Sequence, residues 1–532
     1  MDTKEFRTGN VASDDTQGHQ DPASQDPTTV LSLQGIRKRF GALLANDDIS
    51  LTLHRGEVLA LLGENGAGKT TLMNIVFGHE VADAGQIQVF GRLLPPGSPA
   101  AAMAAGIGMV HQRFTLAENL SVLDNIVLGT VPLWHWRQGR QEAAAKIRQL
   151  GSRFGLGVDP QARVGDLSVG EQQRVEILKV LYRQARILIL DEPTAVLTPQ
   201  ETESFFATLT QMTQEGLSII LISHKLREVL AVSQRLAVLR SGRLVATVKT
   251  PEANPETIAE WMVGRHIPAV VREPMPLGDP VLTLDQISTA GSLMSLRSVS
   301  LTVHRHELVG IAGVAGNGQN ALASVICGLE QPSHGQLQVV GTVLPWLSPW
   351  AMVQQGMARI PEDRHHVGVI GSFAIWENLV AERYRDPQFS RWGWFNHRQI
   401  RHHAWNWMQE YDIRCGATEA QQALGIPTQV LSGGNMQKVI LARGLAQAPQ
   451  VILAHQPTRG LDVGAVAYVH RELVQACRRG AGIVLISEDL DELLALSDRV
   501  HVLYRGELSP GIPSSTADRA TLGLWMAGHV AD

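Results

Sequence analysis

Apolar positions along this chain gather in short continuous runs. Glu57–Leu62, Ile187–Leu190 and Leu217–Ile222 are blocks of strand length with hardly a polar interruption. A run with no polar face predicts a parallel strand covered on both sides. Lys69–Phe77, just after a Gly-rich turn, predicts a helix. Each half of the chain then reads as strands, Gly-rich turn, helix, a mixed middle, and strands alternating with helices. That order predicts an α/β domain with a largely parallel sheet. No apolar stretch reaches the roughly 18 residues that would predict a membrane-spanning helix.

The pattern occurs twice. Ile49–Glu57 (ISLTLHRGE) returns as Val299–Glu307 (VSLTVHRHE), an offset of 250 that also carries Gly63–Thr70 onto Gly313–Asn320 and Gln112 onto Glu362. Further on, Leu167-Ser168 matches Leu431-Ser432, Pro193-Thr194 matches Pro457-Thr458 and Ser223 matches Ser487, at an offset of 264. Two constant offsets describe a tandem duplication whose second copy carries about 14 more residues, around the Trp-rich stretch Arg391–Met408. The expected organisation is a disordered polar tail (1–28), a first domain (29–265), a Pro-rich extended linker (266–280) and a second domain (281–532).

Composition narrows the class. The chain has 532 residues, too many for one core, and 44% of them are hydrophobic, which excludes a mostly disordered protein. Its net charge of −5 offers no electrostatic case for a nucleic-acid partner. Cys327, Cys415 and Cys477 are far apart with no CxxC spacing, so neither a disulfide framework nor a zinc site is expected, and a reducing, intracellular location fits. The first 27 residues contain no apolar segment of the kind a secretory signal needs.

Chemistry enters at Gly63-Glu64-Asn65-Gly66-Ala67-Gly68-Lys69-Thr70, followed by Thr71. This is G-x-x-x-x-G-K-[ST] between a predicted strand and a predicted helix. The glycines let backbone N–H groups turn toward phosphates, and the helix N-terminus adds partial positive charge. Lys69 brings a full charge to the β/γ-phosphates, and the Thr70 hydroxyl can ligate Mg²⁺. Downstream, an apolar strand ends in Asp191-Glu192: the first is placed to hold Mg²⁺ and the second to polarise an attacking water. Taken alone, two acids at a strand end are more often a solvated turn or a helix cap; the phosphate loop earlier in the chain turns the reading to catalysis.

Leu167-Ser168-Val169-Gly170-Glu171, followed by Gln172-Gln173-Arg174 just before those acids, resembles the signature motif of ABC-type ATPases. Gln112 resembles their Q-loop, His224 their switch histidine, and Phe40 the aromatic that stacks on adenine. The whole chain is similar to the double-ATPase subunits of bacterial importers for simple sugars and nucleosides; Glu192–Glu201 (EPTAVLTPQE), Gly313–Gln319 (GVAGNGQ) and Gln456–Gly464 (QPTRGLDVG) resemble the nucleoside-type branch, with the ribose-type branch the near competitor. The resemblance implies two tandem P-loop ATPase domains, each a mostly parallel, RecA-like α/β core with a helical subdomain and an antiparallel β subdomain. It implies ATP and Mg²⁺ as cofactors, and metal contacts from Thr70, Gln112 and Asp191. Lys69, Gln112, Glu192 and His224 are the expected catalytic group. ATP is expected between the first copy's loop with Phe40 and the second copy's Ser432, Gly433, Gly434 and Asp462. The implied partners are membrane permease subunits and, through them, a substrate-binding lipoprotein or periplasmic protein, with peripheral association at the cytoplasmic face. Permease docking is expected on residues 115–165 and 370–428, where Trp134, Trp136, Trp392 and Trp394 are either anchors or subdomain core. The alternative is a soluble double-ABC protein such as a ribosome-associated factor.

The second copy departs from the pattern at its chemistry. Lys69 corresponds to Gln319, Thr70 to Asn320, Asp191 to His455, Glu192 to Gln456, His224 to Glu488 and Phe40 to Ala290. Losing a charge-assisted contact at Gln319 costs about 1.5–3 kcal/mol, roughly ten- to a hundredfold in affinity. Its signature, Leu431-Ser432-Gly433-Gly434-Asn435, is close to the family ideal, and it keeps Asp462 where the first copy has Thr198. With ATP sandwiched head to tail, every departure falls on one composite site, joining Gln319, His455, Gln456 and Glu488 to Ser168, Val169 and Glu171. One hydrolysing site and one degenerate site are therefore expected.

Overall fold

The computed structural model describes residues 28–526 and 528, apart from 42, 113, 131–138, 195–198, 224, 265, 267–271, 291–293, 315 and 418. The tail expected over 1–27, His224, Thr198, Trp134 and Trp136 lie outside the described residues.

The continuous apolar runs form the centre of each copy. In the first, a six-stranded sheet runs Arg243–Lys249, Arg235–Arg240, Val58–Leu62, Ser218–Ile222, Ile187–Asp191, Ile107–Val110 from edge to edge. Every residue of Val58–Leu62, Ser218–Ile222 and Ile187–Asp191 is buried, as two-sided covering requires. Their pairings are parallel, whereas Arg243–Lys249 joins antiparallel at the edge with alternating exposure. A second, antiparallel sheet orders Leu43–His54, Thr29–Phe40, Ala84–Val89 and Arg92–Leu93. Burying one large aliphatic side chain contributes about 1.5–3 kcal/mol, so these runs fix the strand ends from which the functional loops leave.

The second copy repeats both sheets. Its core runs Met357–Ile360, Val451–His455, Gly482–Ser487, Leu308–Ala312, Arg499–Tyr504 and Glu507–Leu508, with Ile512–Pro513 also on Arg499–Tyr504. Its antiparallel sheet orders Val299–His304, Pro280–Ser288, His334–Val339 and Thr342–Val343.

The linker departs from a simple extended spacer. Pro280 already pairs with His304 as the first residue of a strand, a position where its missing N–H costs nothing. Arg272 is docked: its guanidinium reaches both Asp498 oxygens and the His306 carbonyl, with a side chain only 6% exposed. The middle segments differ as the offsets predict. The first copy has the helix Arg140–Phe154; the second has a short hairpin, Ser390–Arg391 with Trp394–Phe395, leading into the helix His397–Glu410. Ile400, Trp407, Met408 and Tyr411 enter the core there. Trp392 and Trp394 do not, and the reading of them as subdomain core is corrected: they are 89% and 81% exposed. Among the described residues no helix is long and apolar enough to cross a membrane.

Candidate functional site

The buried strand Val58–Leu62 delivers the chain into the loop 63–68, which turns through three left-handed glycines: Gly63, Gly66 and Gly68. At Gly68 a side chain has no room, since a Cβ would meet the Asn46 amide at 2.7 Å and the Ala45 carbonyl. At Gly66 it would meet nothing within 4 Å, so the loop has an open face. Gly68 caps the helix Lys69–Phe77 without a side-chain acceptor, which leaves first-turn N–H groups for an anion. Lys69 is buried and lies back along the loop, donating to Gly63 O (2.7 Å) and Glu64 O (3.0 Å). Burial pulls its pKa below the usual lysine value; Glu192, Asp191, Asp462 and Glu64 pull the other way. Ala67 N–H bonds to Glu64 O at 3.1 Å and tightens the turn; Thr70 is exposed and Thr71 half-buried on the first helical turn.

The strand Ile187–Asp191 brings two acids to the same end of the sheet. Asp191 is buried, and burial first, then the neighbouring Glu192 carboxylate, pushes it up to about 6, with Lys69 and a hydrogen bond from Thr70 opposing. Glu192 sits at φ 49°, a left-handed conformation held by its N–H bonding to Ile222 O at 2.9 Å. Gln112 Nε2 donates to Glu192 Oε2 at 2.8 Å. Hydroxyl and carboxylate oxygens side by side, facing an open glycine loop, are a donor set that fits Mg²⁺ completed by phosphate and water. Phe40, at the end of Thr29–Phe40, is 44% exposed with Lys38 Nζ 5.0 Å above its ring.

The second copy reaches into this group. Asn65 Nδ2 donates to Gly460 O at 3.1 Å, across 395 residues of sequence. Asp462 caps the helix Val463–Arg478, accepting from Ala465 N at 2.8 Å, and is close enough to act on the charge of Lys69. Val463 packs against the first copy's core, and a Cβ at Gly464 would lie 2.9 Å from Glu64 Oε1 and 3.3 Å from Val263. Ser432, Gly433 and Gly434 open the helix Gly433–Leu445 and join less directly: a Cβ on Gly434 would touch Ala465 at 3.4 Å. The loop holding Gly460 is itself clamped. Thr458 Oγ1 donates to Glu492 (2.8 Å), the Arg459 carbonyl accepts from Arg364 (2.6 Å), and the Arg459 guanidinium pairs with Glu362. Sequence reasoning overlooked Asn65–Gly460, Arg364 and Arg459; the one visible signal was Arg459 standing at the offset position of Ala195.

The equivalent pocket of the second copy is closed on itself. Gln319 Nε2 donates to Val314 O at 2.7 Å, and its Oε1 accepts from Asn317 N at 3.0 Å, taking up a loop amide. His455 is buried 3.8 Å from Glu362; burial lowers its pKa, Glu362 opposes and Arg459 adds, so the ring is neutral at physiological pH and the contact is no ion pair. In the first copy's signature, Ser168 and Glu171 form a closed capping box: Ser168 N and Oγ donate to Glu171 Oε2 at 2.9 and 2.8 Å. These bonds, the backbone one first, hold Glu171 below the usual carboxylate range. In both signatures the serine Oγ accepts the N–H three residues on (3.3 and 3.4 Å), but Ser168 also donates its hydroxyl hydrogen to Glu171, whereas Ser432 accepts a second time, from the Asn435 side-chain amide (3.0 Å).

The sequence profile of the ABC transporter family matches residues 46–195 and again 296–459. The chain is 42% identical to a glucose import ATP-binding protein of Haloferax volcanii, covering 94% of this chain and 96% of that protein. It is 41% identical to a nucleoside import ATP-binding protein of Lactococcus lactis, over 94% of this chain and 98% of that one. A crystal structure of an archaeal ribosome recycling factor in complex with a ribosomal stalk protein has a TM-score of 0.63 at 17% identity, covering 93% of this chain and 92% of that one; the likeness is of fold alone.

Proposed function

The chain belongs to the ABC transporter family of ATP-binding proteins, and from that premise we propose that it energises an importer for nucleosides or simple sugars, hydrolysing ATP at one composite site and not at the other. The observation that carries the reading is the convergence of Lys69, Asp191, Glu192 and Gln112 in the first copy with Gly460–Gly464 of the second.

In this reading the open loop amides and the first turn of Lys69–Phe77 bind the phosphates, and Lys69 turns from its own carbonyls onto the β/γ-oxygens. Thr70 and Asp191, with Gln112, would hold Mg²⁺, which when bound neutralises charge developing on the phosphate oxygens. Glu192, fixed by its backbone bend and by Gln112, polarises the attacking water and accepts its proton. Ser432–Gly434 and the helix they open close over the γ-phosphate from the other side. In the degenerate site Gln319 already occupies a loop amide and Glu171 sets a negative charge at the facing signature, an arrangement that disfavours phosphate. Closure on ATP and reopening after hydrolysis is a two-state element biased by γ-phosphate contacts. Permease subunits docked on residues 115–165 and 370–428 would convert it into solute movement, and an extracytoplasmic binding protein would deliver the solute.

The test is uptake. Reconstituted in liposomes with the permease and binding protein, the chain should drive ATP-dependent entry of a labelled nucleoside or pentose, and Glu192→Gln should stop it. ATP-dependent entry of neither, together with co-sedimentation with ribosomes, overturns the reading in favour of the soluble alternative.

A further inference from the structure

The second copy carries an aromatic hairpin that the nucleotide sites do not use. Ser390–Arg391 and Trp394–Phe395 pair around Trp392-Gly393, and all nine residues from 391 to 399 are exposed. Trp392 sits at φ 58° and Gly393 at φ 83°, two consecutive left-handed residues that match the tight hairpin turn. Glycine suits that conformation and tryptophan does not. The fold thus strains its largest side chain at the tip and then leaves it 89% exposed, with Trp394 beside it at 81%. Strain and exposure of roughly 200 Å² of aromatic surface on each side chain gain the isolated chain nothing.

The base of the hairpin is an aromatic cluster. The Phe395 ring meets Tyr384 (6.2 Å) and His397 (6.1 Å) edge-on, His397 meets Trp376 (5.8 Å), and Arg385 lies over both Tyr384 and Trp350. The surroundings are basic. Residues 383–403 hold five arginines against one aspartate, with three histidines, in a chain whose overall charge is −5. Arg385, Arg391, Arg398 and Arg401 are all exposed.

We infer that this hairpin inserts Trp392 and Trp394 into the headgroup layer of an anionic membrane, with the arginines around it binding lipid phosphates. Tryptophan on an aromatic base with flanking arginines has the chemistry of the membrane interface, where amphipathic rings sit at headgroup level and basic groups meet acidic lipids. Within the docking segment 370–428, charge assigns this hairpin to lipid and leaves the permease the rest of the segment: cytoplasmic loops of membrane proteins are themselves enriched in Lys and Arg, which would repel this surface, whereas the inner leaflet attracts it. The inference goes beyond the transporter reading and uses no feature of the nucleotide sites.

The test is flotation of the full chain with vesicles of phosphatidylcholine alone, or with about a quarter phosphatidylglycerol, in the absence of ATP and permease. The chain should bind the anionic vesicles at least about tenfold better than the neutral ones, and less well as salt is raised. Trp392→Ser/Trp394→Ser should lower binding at least about tenfold without changing the melting temperature, and Arg391→Glu/Arg398→Glu should do the same should the first variant misfold. Equal flotation of wild type and both variants, or no flotation with anionic vesicles, overturns the inference. So does a Trp variant that still floats but no longer co-purifies with permease, or that loses binding to a single-stranded RNA oligonucleotide while keeping lipid. Because the assay needs neither ATP nor permease, its failure would leave the transporter reading standing.

Discussion

At the end of one buried parallel strand the first copy sets Asp191-Glu192; at the matching end in the second stand His455-Gln456. The backbones there are nearly superimposable in kind. Glu192 and Gln456 have φ of 49° and 48°, and each N–H bonds to the last isoleucine carbonyl of the neighbouring strand, Ile222 or Ile486. Lys69 and Gln319 likewise both donate to the second residue of their loop, Glu64 or Val314. The strained bend therefore belongs to the way a strand leaves this sheet and survives the loss of its carboxylate. What separates the copies is the side chains. In one, Gln112 steadies Glu192; in the other the same two residue types are exchanged, and Glu362 is drawn away to Arg459. Left-handed backbone marks the place where chemistry can be mounted, and only the side chain says whether it is.

Substitutions at matched positions should break or sharpen this contrast. The largest effect is expected at the phosphate loop and the terminal acid: Lys69→Ala and Glu192→Gln should each lower steady-state phosphate release at least about a hundredfold. Gln319→Ala and Gln456→Ala should stay within about twofold of wild type. Comparable losses in the two copies would dissolve the distinction. Next come the serines. Ser432→Ala should slow turnover about tenfold, whereas Ser168→Ala, which opens a capping box on the other site, should change it less than about twofold. The reverse order would mean that the head-to-tail assignment is exchanged. The smallest effect is expected at Arg459→Ala, which frees Glu362 and slackens the loop against Asn65. Hydrolysis should fall about threefold with no gain in nucleotide stoichiometry, measured by equilibrium binding of a fluorescent ATP analogue. A second equivalent of bound nucleotide in that variant would show that Arg459 was blocking a competent pocket.

The core strands, the duplication and the phosphate loop were legible because each is a local pattern: an uninterrupted apolar run, a constant offset, or glycines at fixed spacing before a helix. Asn65–Gly460 had no such signature, since its partners lie 395 residues apart and neither is an unusual residue in its own loop. Arg364 was equally silent, because it acts on a main-chain carbonyl that any residue at 459 would supply; Arg459 showed only as the counterpart of Ala195, with nothing to name Glu362 as its partner. The aromatics misled for another reason. Trp407 is core and Trp392 and Trp394 are not, yet all three fall in one Trp-rich stretch. The helical phase of His397–Glu410 turns Trp407 inward, while the turn at Trp392-Gly393 throws its neighbours out.

The loop between Gln456 and Asp462 has a longer reach than its length suggests. Gly460, whose carbonyl holds Asn65, lies four steps along the chain from the bend at Gln456, and a chain so short spans at most about 14 Å even fully drawn out. Thr458 and Arg459 are pinned in between. The loop thus works as a tie rod with one end bolted into each pocket. A pocket stripped of its lysine and its acids still sets the height at which its neighbour's asparagine is carried, and so retains a hand on an engine it no longer fuels.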